Sequence, residues 1–155
     1  MSELVFANGM IIDGVHDQPI GRGYIRVSHD KIKEVGRGHP SSSEGAEIDL
    51  RGCTVLPGLI DCHVHLVWDG SPDPAKKIQG LPEPRVALLA YSNARKTLEL
   101  GITTVRDLGS PGRTVLDLAQ VIREGALIGP NILSAGPALC MTGGMATTCR
   151  MRWTA

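Results

Sequence analysis

The stretch Thr54-Val-Leu-Pro-Gly-Leu-Ile-Asp-Cys-His-Val-His-Leu-Val67 decides how this chain is read. An apolar run, punctuated by Pro57-Gly58, ends in two histidines one residue apart, and it reads as a buried strand. Side chains alternate along a strand, so His63 and His65 leave from one face. Their α-carbons would be roughly 6.6 Å apart, at about 3.3 Å of rise per residue. Two imidazoles leaning toward one point can both reach a metal ion at about 2.0–2.1 Å. The same alternation sends Val64 and Cys62 the other way, into an apolar layer, and puts Asp61 on the face of the histidines as a supporting carboxylate. An ordinary strand with two histidines near its exposed end is the competing reading. It is the weaker one, because buried imidazoles need partners and the flanking residues are so specific.

The string Leu56-Pro-Gly-Leu-Ile-Asp-Cys-His-Val-His-Leu66 resembles the first-strand motif of the amidohydrolase superfamily of metal-dependent hydrolases. Gly101-Ile-Thr-Thr-Val-Arg-Asp107 resembles the second-strand motif of the same superfamily. The resemblance implies a (β/α)8 TIM barrel preceded by a small β-sandwich, with His63 and His65 as metal ligands. A complete barrel typically needs about 250 residues, and the chain has 155. The expectation is therefore an α/β fold holding part of the sandwich and the first βα units, with the barrel incomplete.

Composition narrows the partners. Sixteen basic residues balance sixteen acidic ones and no basic block appears, which argues against nucleic acid or an anionic membrane. The N-terminus has neither a charged leader nor a long apolar core, and no apolar run approaches the roughly 20 residues of a membrane span. Cys53, Cys62, Cys140 and Cys149 form no Cys-x-x-Cys pair, so a disulfide framework or structural zinc is a poor reading and a cytoplasmic setting is expected.

Residues 1–56 read as short strands separated by turns. Leu4–Ala7 is followed by Asn8-Gly9, a hairpin signal, and Asp13-Gly14 marks another turn. Tyr24–Val27 and Lys31–Val35 alternate across a turn at His29-Asp30, residues 36–45 form a loop, and Glu47–Leu50 and Cys53–Leu56 complete the set. His16, His29 and His39 lie beside turns without ligand spacing and are expected to be solvated. Within 57–144 strands alternate with helices, which predicts parallel βα units. Residues 68–84, with four prolines, read as a long loop on the side where barrel active sites lie. Arg85–Leu100 is a helix with Val86, Leu89, Ala90, Ala94 and Leu98 on its apolar face. Ile102–Arg106 is the second strand, running into Asp107. Pro111–Glu124 is a second helix with Val115, Leu118, Ala119 and Ile122 on one face, and Asn131–Ala135 is a third strand.

Asp107 closes the second strand at the active-site face. It is a candidate for orienting a metal ligand or substrate, with capping of the following turn as the alternative. Arg106 is expected to pair with it or a neighbour, and Trp68 either walls a pocket or packs its loop. Residues 145–155 do not fit. In the branch resembling imidazolonepropionases and Xaa-Pro dipeptidase-like enzymes, Thr-Gly-Gly continues into His-Gly, and here Met145 follows Gly144. Back-translation from one base before the Met145 codon permits His-Gly there and Asp-Gly near the end, given CGN arginine codons. An out-of-frame tail with an early stop and a natural or chosen end are both open, and the DNA beyond the final codon separates them.

The chemistry implied by the resemblance is hydrolysis of a C–N bond by water activated on one or two divalent metals, zinc first because imidazole suits it, with manganese or iron as alternatives. It further implies a carboxylated lysine, further histidines and an aspartate on later strands that this sequence does not contain. The polypeptide by itself is thus expected to be inactive. A small-molecule or short-peptide substrate is expected, and a homo-oligomer of a full-length parent is compatible with the sequence. A non-catalytic binding or scaffolding protein on the same fold is the alternative. A doubly wound nucleotide-binding domain is disfavoured, because no Gly-rich phosphate loop follows any strand.

Overall fold

A computed structural model describes residues 3–41, 45–139 and 141. The chain divides into two compact units, residues 1–57 and the remainder from Gly58.

The first unit is a single five-stranded sheet. Strands β1 (Leu4–Ile11), β2 (Ile20–Ser28), β3 (Lys31–Arg37) and β4 (Ala46–Asp49) lie in the order β3-β2-β1-β4, and β5 (Thr54–Val55) also pairs with β1. β1 runs antiparallel to β2 and parallel to both β4 and β5. Val5, Ala7 and Tyr24 form its buried cluster. The hairpin expected at Asn8-Gly9 is not there, because β1 runs straight through the pair. A two-residue type I′ turn needs positive φ at both central positions, and only Asn8 has it, at 67°. One left-handed residue makes an irregularity in a continuing strand instead, and β1 shifts register against β2 between Phe6 and Gly9. A Cβ at Gly9 would stand 3.2 Å from that of Leu50, a tight contact. The turn at His29-Asp30 does join β2 to β3, with His29 at φ 59°. His16, His29 and His39 are exposed.

The second unit is built from parallel strands and crossover helices: β6 (Leu59–Val64), α1 (Pro74–Ile78), α2 (Glu83–Glu99), β7 (Ile102–Asp107), α3 (Thr114–Arg123) and β8 (Asn131–Ser134). The sheet order is β6-β7-β8, all parallel. Among the described residues it is open and does not close on itself. One face is covered by the helices. Val86, Ala90 and Ala94 of α2 and Val115, Leu118 and Ala119 of α3 pack with Val105, Ile132, Leu66 and Val67. Spacings of three and four put these residues on single helix faces. Leu89, expected on that face, is 40% exposed, because the buried stripe follows 86, 90 and 94. The loop after β6 is not wholly irregular. It holds α1, capped where Asp73 Oδ1 accepts the Lys76 N–H at 3.2 Å.

The run Thr54–Val67 is not one buried strand. It is split into β5, in the first sheet, and β6, in the second, with Pro57-Gly58 between them. Leu59 and Ile60 are 53% and 68% exposed, since β6 pairs only with β7 and lies at a sheet edge among the described residues. Cys62, expected to be buried, is exposed for the same reason. The reading of residues 145–155 lies outside the described residues.

Candidate metal centre

β6 is set against β7 by close contact at its start. The Leu59 N–H donates to the Gly101 carbonyl at 2.9 Å, and Gly58 lies so near Thr103 that a Cβ would be 2.1 Å from its Oγ1. Further along, the register changes. Asp61 lies opposite Val105 and Val64 opposite Asp107, so three steps on β6 match two on β7. Such a bulge reverses the usual alternation. Asp61 and Val64 therefore lie opposite residues two apart on β7, which share a face. The Asp61 carboxylate is engaged locally, with its Oδ1 accepting the His63 N–H at 3.0 Å.

His65 lies one residue beyond the end of β6 and begins a tight turn closed by the Trp68 N–H donating to the His65 carbonyl at 2.9 Å. Leu66 and Val67, each 3% exposed, anchor the turn in the core. The His65 ring lies 4.1 Å, centroid to centroid, from the half-buried Trp68 ring, and its Nδ1 is 3.1 Å from the Gly109 carbonyl oxygen. A carbonyl only accepts, so Nδ1 donates in this contact, and in the neutral ring Nε2 keeps the lone pair. The His63 and His65 centroids are 5.6 Å apart with their planes at 70°. A ligating imidazole has its centroid roughly 3 Å from the ion, so two imidazoles on one cation sit about 5–6 Å apart. No group of three His, Cys, Asp or Glu side chains suited to a metal occurs among the described residues.

Asp107 is fully buried at the end of β7. Its Oδ2 accepts the Leu66 N–H at 2.8 Å and its Oδ1 the Gly109 N–H at 3.2 Å. It therefore joins the turn that carries His65 to the residue that orients His65, and it caps its own turn as well. Burial pushes its carboxyl above the ordinary range, opposed by these two N–H donors and by His65. Arg106 points away from this network and donates from Nε to the Cys62 carbonyl at 2.8 Å, rather than pairing with Asp107. Neighbouring residues of a strand face opposite sides.

One contributor escapes the sequence reading. Asn93, in the middle of α2, donates from Nδ2 to the Leu66 carbonyl at 2.9 Å and the Trp68 carbonyl at 3.0 Å. The signal available was a polar amide between Ala90 and Ala94 in the buried stripe of a helix, at a position where asparagine is a poor helix former.

Residues 54–152 match the family model described as "Amidohydrolase family". The chain is 37% identical over 99 residues to the imidazolonepropionase of Streptococcus sanguinis (strain SK36), covering 58% of this chain and 24% of that protein. It is 35% identical over 92 residues to the ochratoxinase of Aspergillus niger, covering 58% and 18%. Among solved structures, a Xaa-Pro dipeptidase with methionine bound in its active site superposes with a TM-score of 0.81 at 35% identity, over 94% of this chain and 36% of that one. The chain thus spans about a fifth to about a third of the length of these relatives, and its open β6-β7-β8 sheet corresponds to part of an amidohydrolase TIM barrel. With the family model matched over well over half of its residues, this chain belongs to the amidohydrolase family.

Proposed function

We propose that this chain supplies His63 and His65 as metal ligands to a hydrolase that cleaves a C–N bond in an amide, peptide or cyclic amide. The observation that carries the proposal is the adjacent His63 and His65 rings, with Nδ1 of His65 engaged on a backbone carbonyl. That Nδ1 donates to the Gly109 carbonyl, which leaves Nε2 as the nitrogen available to a cation. Ligating histidines generally donate their other ring N–H in this way. Zinc is the first expectation for an imidazole pair, and when bound such an ion lowers the pKa of water toward about 7 and polarises a carbonyl. The chain's own residues prepare the site: Asp61 holds the His63 peptide, Asp107 holds the Leu66 and Gly109 peptides, and Trp68 covers one side of the His65 ring. Relatives named imidazolonepropionase and Xaa-Pro dipeptidase support a small-molecule or short-peptide substrate.

A catalytic zinc normally takes three protein ligands, and two are at hand here. We therefore expect the polypeptide by itself to bind metal without turning over substrate. A non-catalytic binding role on the same fold is the second reading. Equilibrium dialysis against zinc tests the first reading. The chain should retain zinc, and His63→Ala with His65→Ala should abolish that retention. Equal zinc content in both proteins overturns it. No retention by the parent chain would favour the non-catalytic reading.

A further inference from the structure

Leu66 sits in an unusual position: both halves of its backbone are held by side chains from distant elements. Asp107 at the end of β7 takes its N–H, and Asn93 of α2 gives to its carbonyl. The same Asn93 amide reaches the Trp68 carbonyl, so one NH2 group, with its two hydrogens, bridges two carbonyls across the turn that begins at His65. That turn sets where the His65 ring stands between Trp68 and Gly109. We infer that Asn93 is a positioning residue, acting through the Leu66 and Trp68 carbonyls to hold His65 in the Nδ1–H tautomer with Nε2 presented to a cation. The inference rests on the metal-ligand reading for its purpose, but its geometry stands apart from it.

The chemistry of the position supports the assignment. Leu66 is buried and Trp68 half-buried, and a buried carbonyl left without a donor is costly. Asn93 is itself half-buried and interior to α2, where alanine would be the better helix former. A residue kept only to build the helix would not be an asparagine. Aspartate has the same shape but no hydrogens to give, so it would set a carboxylate against two carbonyl oxygens.

The two roles make opposite forecasts for Asn93→Ala. If Asn93 only builds structure, α2 keeps its helicity or gains some and His65 is unmoved. If it positions His65, α2 stays helical while the ring loses its fixed tautomer. Nitrogen-15 NMR of the imidazoles in the metal-free chain reads this directly, with circular dichroism reporting the helix. The expected result is a dominant Nδ1–H form of His65 in the parent and an averaged pair of tautomers in Asn93→Ala. Asn93→Asp should perturb His65 at least as much, and it serves as the second variant should the alanine protein fail to fold. Zinc affinity, measured by dialysis with the metal alone, should fall about 10–100-fold in either variant. A His65 ring that keeps its Nδ1–H form in both variants overturns the inference. A parent that binds no zinc, with a tautomer that still shifts on Asn93→Ala, upholds the positioning role and defeats the metal reading instead.

Discussion

Gly58 has no side chain because Thr103 leaves no room for one. A Cβ there would lie 2.1 Å from Oγ1 and 2.4 Å from Cγ2 of Thr103. Gly58→Ala must therefore push the start of β6 away from β7, and we expect a loss of about 1–3 kcal/mol, measured by urea unfolding. An unchanged midpoint would mean that the two strands meet less closely here. Asp107 offers a test of sign. Its carboxyl is raised by burial against the pull of two N–H donors and His65. A group whose folded pKa is raised contributes its full stability below the unfolded pKa and loses it as pH rises through the folded value. Carbon-13 titration should place the Asp107 midpoint above that of aspartate in the unfolded chain, and a midpoint at or below it would show that the donors outweigh burial. At this scale the histidine pair was legible, because His63 and His65 are neighbours in sequence. Asn93 was not, because its partners lie 25 and 27 residues away and spacing along a chain carries no record of such contacts.

The elements follow their periodicities where a face is buried and depart from them where backbone geometry intervenes. α3 places Val115, Leu118 and Ala119 inward as their spacing requires. The β6 bulge, in contrast, offsets its register against β7, and no feature of Asp61-Cys-His63 announces it. Asn8-Gly9 shows the same limit, since its turn chemistry was used for an irregularity inside β1 rather than a hairpin. Packing between sheet and helices gives the prediction at this level. Val105 is fully buried between β7 and the helices, whereas Leu88 on α2 is 69% exposed. Val105→Ala removes two methylene-sized groups, at about 0.8 kcal/mol each, and adds a cavity term, for a loss of about 2–3 kcal/mol. Leu88→Ala should stay within about 0.5 kcal/mol. Equal effects of the two in denaturant unfolding would contradict the described face of α2.

For the molecule as a whole, the decisive surface is the edge of the parallel sheet. β6 is unpaired on one side among the described residues, and Leu59, Ile60 and, on β8, Leu133 are more than half exposed. Parallel sheets are ordinarily covered on both faces, and a bare apolar edge is a template for pairing with another chain. We expect this polypeptide to self-associate at micromolar concentration and Ile60→Lys to reduce that association, as read by light scattering. A monodisperse monomer before substitution would count against it. Among the described residues no helix is long and apolar enough to cross a membrane. The sequence by itself determined the alternation of strands and helices, the helix faces and the histidine pair, because these depend on periods of two or about 3.6 residues and on local chemistry. Only the tertiary structure decided that Nδ1 of His65 meets the Gly109 carbonyl, and that Asp107 and Asn93 hold Leu66 from both sides. Those contacts join elements far apart in the chain, and their geometry exists only once α2 and β7 have packed beside β6.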